Sequence, residues 1–156
     1  MAKHESDPVL VVGDLMLDEA WMGCRERICP DAAAPVFHVQ RRESALGGAA
    51  RVAKVLVDLG VPVRVVGVIG DDPAGQELLG LLQELGIDVD GVVTDAHRPT
   101  TVKRSHFEGS HARANSKVFR VDLESQDPLS LELRTTLEQH IIQAQASASL
   151  VVVSDY

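Results

Sequence analysis

Aromatic residues are scarce in this chain: one Trp, one Tyr and three Phe make up 3% of its 156 residues. A core has to be built from Val, Leu, Ile and Ala instead. Positive charge is also short, with 15 Lys and Arg against 23 Asp and Glu and a net charge of −8. That balance opposes binding to nucleic acid or to an anionic membrane, whose phosphates are drawn to basic stripes. It leaves room for a small anion in a local basic pocket. Cysteine is limited to Cys24 and Cys29. A metal site needs more ligands than two, and no nearby His pair completes a zinc pattern, so no metal is expected. Met1 to Pro8 is polar, the apolar run after it ends at Asp14, and no stretch approaches the ~20 apolar residues of a membrane span. These readings predict a cytoplasmic protein with reduced thiols. Neither Gly-x-Gly-x-x-Gly nor a Walker lysine occurs, which removes a dinucleotide fold signature and a P-loop. There is no internal repeat and no low-complexity segment.

What is present alternates. Hydrophobic residues make up 45% of the sequence, and the mean hydropathy is +0.03, as for one globular domain with a real core. Residues 9–13, 63–69 and 149–153 are short continuous apolar runs, the pattern of parallel strands buried on both faces. Between them lie helical segments. Residues 48–59 carry a broad apolar stripe that stops at Gly60. Residues 73–85 open on Pro73 and stop at Gly86, and residues 129–146 carry Leu133, Leu137, Ile141 and Ile142. Strands alternating with helices of this length imply βαβ units, a mostly parallel sheet and helices on its faces. Two regions break the rhythm. Residues 20–40 read as strands with an irregular link through Pro30 and Pro35, and residues 100–122 read as a hairpin. Both are expected to form a flap projecting over a ligand site. The last run ends at the tip of a core strand, so the sequence reads as truncated within a larger domain, with residues 1–8 as a disordered N-terminus.

Asp14 and Asp18 follow the first strand, where open α/β sheets bind ligands. A carboxylate there can accept from two vicinal sugar hydroxyls, or the pair can serve turns and helix caps. Gly47 and Gly48 precede a helix and suit either close backbone approach to a ligand or a tight turn. Asp71-Asp72 before Pro73 favours capping. Lys103, Arg104, Arg113, Lys117 and Arg120 concentrate positive charge on the expected flap, which suits a phosphorylated substrate or a charge-protected hairpin edge. His97, His106 and His111 share that stretch without ligand spacing and read as loop histidines.

In this order, these pieces resemble the ribokinase-like (PfkB) sugar kinases: Gly47-Gly48-Ala49-Ala50-x-Val52-Ala53, then Gly60 and Gly70. Within that superfamily, Val11 to Asp18, Arg27-Ile28-Cys29-Pro30-Asp31-Ala32, Pro99-Thr100 to Lys103, and Arg120-Val121-Asp122 are similar to the heptose-7-phosphate kinases, the N-terminal half of bifunctional ADP-heptose synthases. The resemblance implies a three-layer α/β/α fold with a β flap that covers the sugar and often mediates homodimerisation. It implies phosphoryl transfer from Mg2+-ATP to the anomeric hydroxyl of D-glycero-D-manno-heptose 7-phosphate, for lipopolysaccharide precursor synthesis. Asp14, Asp18, Gly47 and Gly48 would then hold sugar hydroxyls, Arg51 would sit among them, and Lys103 with Arg120 would approach the phosphate.

The departures from that pattern carry equal weight. The superfamily has Asn where this chain has Arg51; an amide donates and accepts, whereas a guanidinium only donates. Cys29 stands in place of Ser, Ser105 stands where a flap basic residue is expected, and the segment between Lys103 and Arg120 is longer than usual. The Gly-Ala-Gly-Asp element, which in the family supplies the catalytic base and anion hole, does not occur in this sequence. The resemblance places that element and the nucleotide site in the family's C-terminal half. The chain alone is therefore expected to bind neither ATP nor Mg2+ and to have no catalytic residue of its own. The alternative is a degenerate, non-catalytic sugar-binding or dimerisation module.

Overall fold

A computed structural model describes residues 7–108 and 116–156. Residues 1–6 of the expected disordered terminus, together with His111 and Arg113, lie outside the described residues. Two four-stranded sheets organise the rest. The first contains β1 (Val9–Gly13), β4 (Val63–Gly70), β5 (Asp88–Asp95) and β8 (Leu150–Ser154), in the order β5-β4-β1-β8, all parallel. Its helices are α1 (Gly48–Asp58), α2 (Pro73–Glu84) and α3 (Leu131–Gln145).

The layering follows from strand alternation. On β1, Val9 and Val11 pack with α1 and α2 residues such as Ala50, Ala53 and Leu78, whereas Leu10 turns to the other face, against Val66 and the Ala144 of α3. Leu10, Val11, Val65 and Leu78 are fully buried. Burying each of these side chains contributes about 1.5–3 kcal/mol. The result is the expected three layers, helix–sheet–helix, assembled without aromatic residues.

The second sheet is the projecting flap. It contains β2 (Leu15–Ile28), β3 (Pro35–Gly47), β6 (Thr101–Glu108) and β7 (Ser116–Leu123), in the order β3-β2-β6-β7. β2 pairs antiparallel with β3 and parallel with β6, and β7 closes the outer edge antiparallel to β6. The flap is longer than residues 20–40 and 100–122 suggest. β2 begins one residue after β1 ends, with only Asp14 between them, and β3 runs without a loop to the first residue of α1. The polar, charged composition of 40–44 hides the second half of β3, beyond the strand expected up to residue 40, because these residues lie on a half-exposed sheet with no continuous apolar run. β5 is missed for a related reason: Asp88, Asp90 and Asp95 break its apolar pattern. His106 is corrected as well. It is a buried residue of β6, not a loop histidine.

Candidate functional site

The flap meets the core sheet at a cleft of about 730 Å3. Asp18, Gly48, Arg51, Lys103, Lys117 and Arg120 all line it, brought there by β2, α1, β6 and β7. Asp18 occupies the middle of the arrangement because β2 is a central strand, paired with Ala45 on one side and Lys103 on the other. Alternation on β6 sorts its charges. Lys103, Ser105 and Phe107 face the cleft, whereas Arg104 turns to the opposite face and meets Glu19. The basic run of the sequence is thus divided in space, and Lys117 joins Lys103 and Arg120 on the cleft.

The two motif glycines serve side chains of this chain. A Cβ on Gly47 would lie 2.8 Å from the Asp18 carboxylate, so only glycine lets β3 end against that group. Gly48 has φ of +53°, and a Cβ there would meet the Asp14 carbonyl oxygen at 2.3 Å and the Met16 side chain at 2.7 Å. The Ala49 N–H donates to the same Asp14 carbonyl at 2.9 Å. Gly48, Ala49 and Ala50 are buried, so the start of α1 is packed under β2.

Arg51 projects from the first turn of α1 into the cleft. Its Nη2 donates to Asp18 Oδ2 at 2.7 Å, and its Nε donates to the Leu46 carbonyl oxygen at 3.3 Å. Asp14 does not share the cleft with Asp18. Its carboxylate accepts from the Tyr156 N–H at 2.9 Å, and it borders a separate cavity of about 240 Å3 with Gly13, Gly67 and Arg98. The expected Asp14–Asp18 pair is therefore split, because one intervening strand start sends the two carboxylates to different sides. The cations differ in how they are held. Lys103 Nζ lies 5.2 Å from the centre of the Tyr156 ring, whereas Arg120 makes a two-point pair with Asp122, two residues along its own strand, through Nε and Nη2 at 2.7 Å each.

Behind the cleft, the other face of the flap is a mixed aromatic and ionic layer. The buried Glu19 accepts from Trp21 Nε1 at 2.9 Å and pairs with Arg104, whose guanidinium lies 4.2 Å over the Trp21 ring. His106 stacks on Phe119 with ring centres 4.1 Å apart and meets Phe37 edge-on at 5.1 Å. Its Nδ1 is buried without a hydrogen-bond partner. Burial, then the nearby Arg104 charge, pushes the imidazole below its ordinary pKa.

Gly70 of the motif serves the fold. Its N–H donates to Thr100 Oγ1 at 2.8 Å, the Thr100 N–H donates to Asp72 Oδ2 at 2.8 Å, and Asp72 Oδ1 caps α2 by accepting from the Gly75 N–H at 2.8 Å. Burial alone would raise the Asp72 carboxyl; the hydrogen bonds from Thr100 and Gly75 outweigh it and hold the group below the usual carboxylate range. Capping, the reading favoured for this Asp pair, is what Asp72 does.

Cross-strand pairing gives Cys24 neighbours that linear spacing conceals. It sits opposite His38, and the ligand atoms of Cys24, Glu26 and His38 lie within 4.8 Å of one another. The thiol donates to Glu26 at 3.1 Å. That hydrogen bond, then burial and the charges of Glu26 and Glu108, pushes the thiol up, which favours the protonated form over the metal-binding thiolate.

Comparison with known proteins agrees with this geometry. The pfkB family of carbohydrate kinases matches residues 7–155. The bifunctional protein HldE of Wolinella succinogenes is 41% identical over 148 residues, covering 95% of this chain and 30% of the relative. HldE of Helicobacter pylori strain P12 is 39% identical over 95% of this chain and 31% of its own length. The chain thus spans about a third of the curated relatives it matches. Among solved structures, Arabidopsis thaliana ribokinase, complexed with ribose and ATP, superposes with a TM-score of 0.66 at 18% identity, over 95% of this chain and 45% of that one. A carbohydrate kinase from Agrobacterium tumefaciens superposes with a TM-score of 0.66 at 19% identity, over 94% and 45%. Both share the ribokinase-like fold. Among the described residues, no helix is long and apolar enough to cross a membrane.

Proposed function

This chain belongs to the pfkB family of carbohydrate kinases, and on that premise we propose that its flap cleft is the acceptor side of a sugar-phosphate kinase. The observation that carries the reading is the convergence on one cleft of Asp18 with Lys103, Lys117 and Arg120, in a lining that also includes Glu19 and Glu43. A carboxylate accepts from sugar hydroxyls, and the cations suit the dianion of a phosphorylated sugar. The acceptor is a heptose 7-phosphate and the phosphorylated position its anomeric hydroxyl, a reading supported by the likeness to HldE.

Kinases of this kind use Mg2+-ATP, and the resemblance places that group's site outside the acceptor cleft. The sequence contains no Gly-Ala-Gly-Asp element. Phosphoryl transfer depends on positioning and on charge stabilisation at the transferred group, which this cleft does not supply by itself. The 156 residues therefore bind the sugar phosphate without turning it over.

A second reading, a non-catalytic sugar-binding or dimerisation module, is favoured by one observation each. Arg51 occupies Asp18, and Phe119, Val121 and Leu123 alternate along the edge strand β7 with 41–44% of their surface exposed. A homodimer through the flap would cover that apolar row.

Isothermal titration of the purified chain with heptose 7-phosphate tests the site, and a coupled ATP-consumption assay tests the chemistry. Binding without turnover is the expected result. Absence of binding would remove the acceptor-site reading, and sugar-dependent ATP consumption would remove the inactivity.

A further inference from the structure

The ion pair inside the cleft has a consequence for which sugars can enter. Asp18 Oδ2 accepts from Arg51 Nη2 at 2.7 Å, so the carboxylate proposed to receive sugar hydroxyls is already engaged. The Arg51 side chain is 60% exposed and the Asp18 side chain 31% exposed, so the pair lies in water-accessible space and can open. Arg51 Nε also donates to the Leu46 carbonyl. The Nε contact holds one edge of the guanidinium against the end of β3, which leaves the Nη1 and Nη2 groups to turn from Asp18 to another acceptor.

The two kinds of sugar meet this arrangement differently. A neutral sugar offers only hydroxyls. To use Asp18 fully it has to displace Arg51, and it gives the guanidinium no anion in return. A ligand carrying a phosphate or carboxylate offers a replacement partner, and guanidinium binds such groups through two parallel N–H donors. Lys103, Lys117 and Arg120 line the same cleft.

We propose that the Arg51–Asp18 ion pair is an anion-released latch on the sugar site, which selects anionic sugars, phosphates or sugar acids, against neutral ones. The inference rests on the sugar-site reading above and adds a specificity residue to it. Arg51 sets which class of sugar reaches Asp18 by holding that carboxylate until an anion draws the guanidinium away.

The test is calorimetric titration of the full chain and of Arg51→Asn with D-glycero-D-manno-heptose and with its 7-phosphate, each at low and high salt. An exposed ion pair of this kind corresponds to about a fivefold change in affinity. Arg51→Asn is expected to tighten the neutral heptose about fivefold and to narrow the preference for the phosphate. Salt screens exposed pairs, so the wild-type chain is expected to bind the neutral sugar more tightly at high salt, and the variant to show no such gain. Equal affinity of the two proteins for the neutral sugar at both salt levels, with heptose 7-phosphate still bound, overturns the latch and leaves the sugar site standing. If neither ligand binds either protein, the sugar-site reading falls and takes the latch with it. Circular dichroism of Arg51→Asn guards against a folding defect, and Arg51→Lys supplies the alternative variant. It keeps the charge without the planar fork, and should lie between wild type and Arg51→Asn for the neutral sugar.

Discussion

Arg51 donates to Asp18 at 2.7 Å, joining the first turn of α1 to the first part of β2 within the cleft. The pair is too exposed to hold the fold together, because solvent screens it and both side chains lose freedom in forming it. Arg51→Ala is therefore expected to change unfolding free energy by less than about 1 kcal/mol. Urea denaturation followed by circular dichroism measures this. A loss of several kcal/mol would make the pair a structural tie.

Gly47 and Gly48 separate a site effect from a fold effect. Gly47→Ala places a methyl 2.8 Å from the Asp18 carboxylate and should displace it, weakening heptose 7-phosphate binding about tenfold through the loss of a charged contact. Gly48→Ala combines a positive φ with a contact of 2.3 Å to backbone oxygen. It should cost more than about 1 kcal/mol of stability. Parallel titration and urea melts of the two variants check the contrast.

Asp72 ties α2 to the end of β4 through Thr100 and Gly75. Its folded pKa is depressed, so the stability it contributes is present above the ordinary Asp pKa of about 4 and is lost as pH falls through the lower folded value. Asp72→Ala removes the cap and leaves the Thr100 N–H without its acceptor, costing about 1–3 kcal/mol near neutrality. The difference between variant and wild type should shrink below pH about 4. Unfolding curves at stepped pH report both.

His106 works on the same sign at a higher pH. Its folded pKa lies below the ordinary value, so the neutral ring's contribution is complete above pH about 6.5 and is lost as pH falls through the depressed folded value. Protonation puts a charge between Phe37 and Phe119 and beside Arg104. His106→Phe removes the titrating group from a largely buried aromatic site. The expected outcome is a melting temperature that falls between pH 7 and 5 more steeply, by roughly a few degrees, in wild type than in the variant. Parallel slopes would place the acid sensitivity elsewhere.

Phe119 and Val121 lie on the outer row of β7. If the flap joins two copies, Phe119→Ser with Val121→Lys should convert a concentration-dependent dimer to a monomer in light scattering. A wild-type chain that is monomeric throughout the accessible concentration range would remove flap dimerisation.

Much of the fold is legible in the residues. Val9–Gly13 and Val63–Gly70 are apolar enough to be strands buried on both faces, and Gly60 and Gly86, at φ of +80° and +71°, end helices as their positions suggest. The second half of β3 and all of β5 are hidden because partly exposed strands carry acidic and basic residues that look like loop. At the cleft, Asp18, Gly48, Arg51, Lys103 and Arg120 are all named by pattern or resemblance. Lys117 is visible only as one charge in a basic run, and nothing in its local sequence says that it shares a face with Lys103.

The alternation of strands and helices, the glycine spacing and the charge on the flap are local properties, set by residue periodicity and backbone freedom. Which charges meet follows from the packed fold. Strand alternation sent Arg104 to Glu19 and left Lys103 on the cleft, the one-residue break between β1 and β2 at Asp14 parted it from Asp18, and the packing of α1 against the end of β3 brought Arg51 onto Asp18. Ion pairing depends on distance through space, and these partners are separated by 33 residues in one case and 85 in the other.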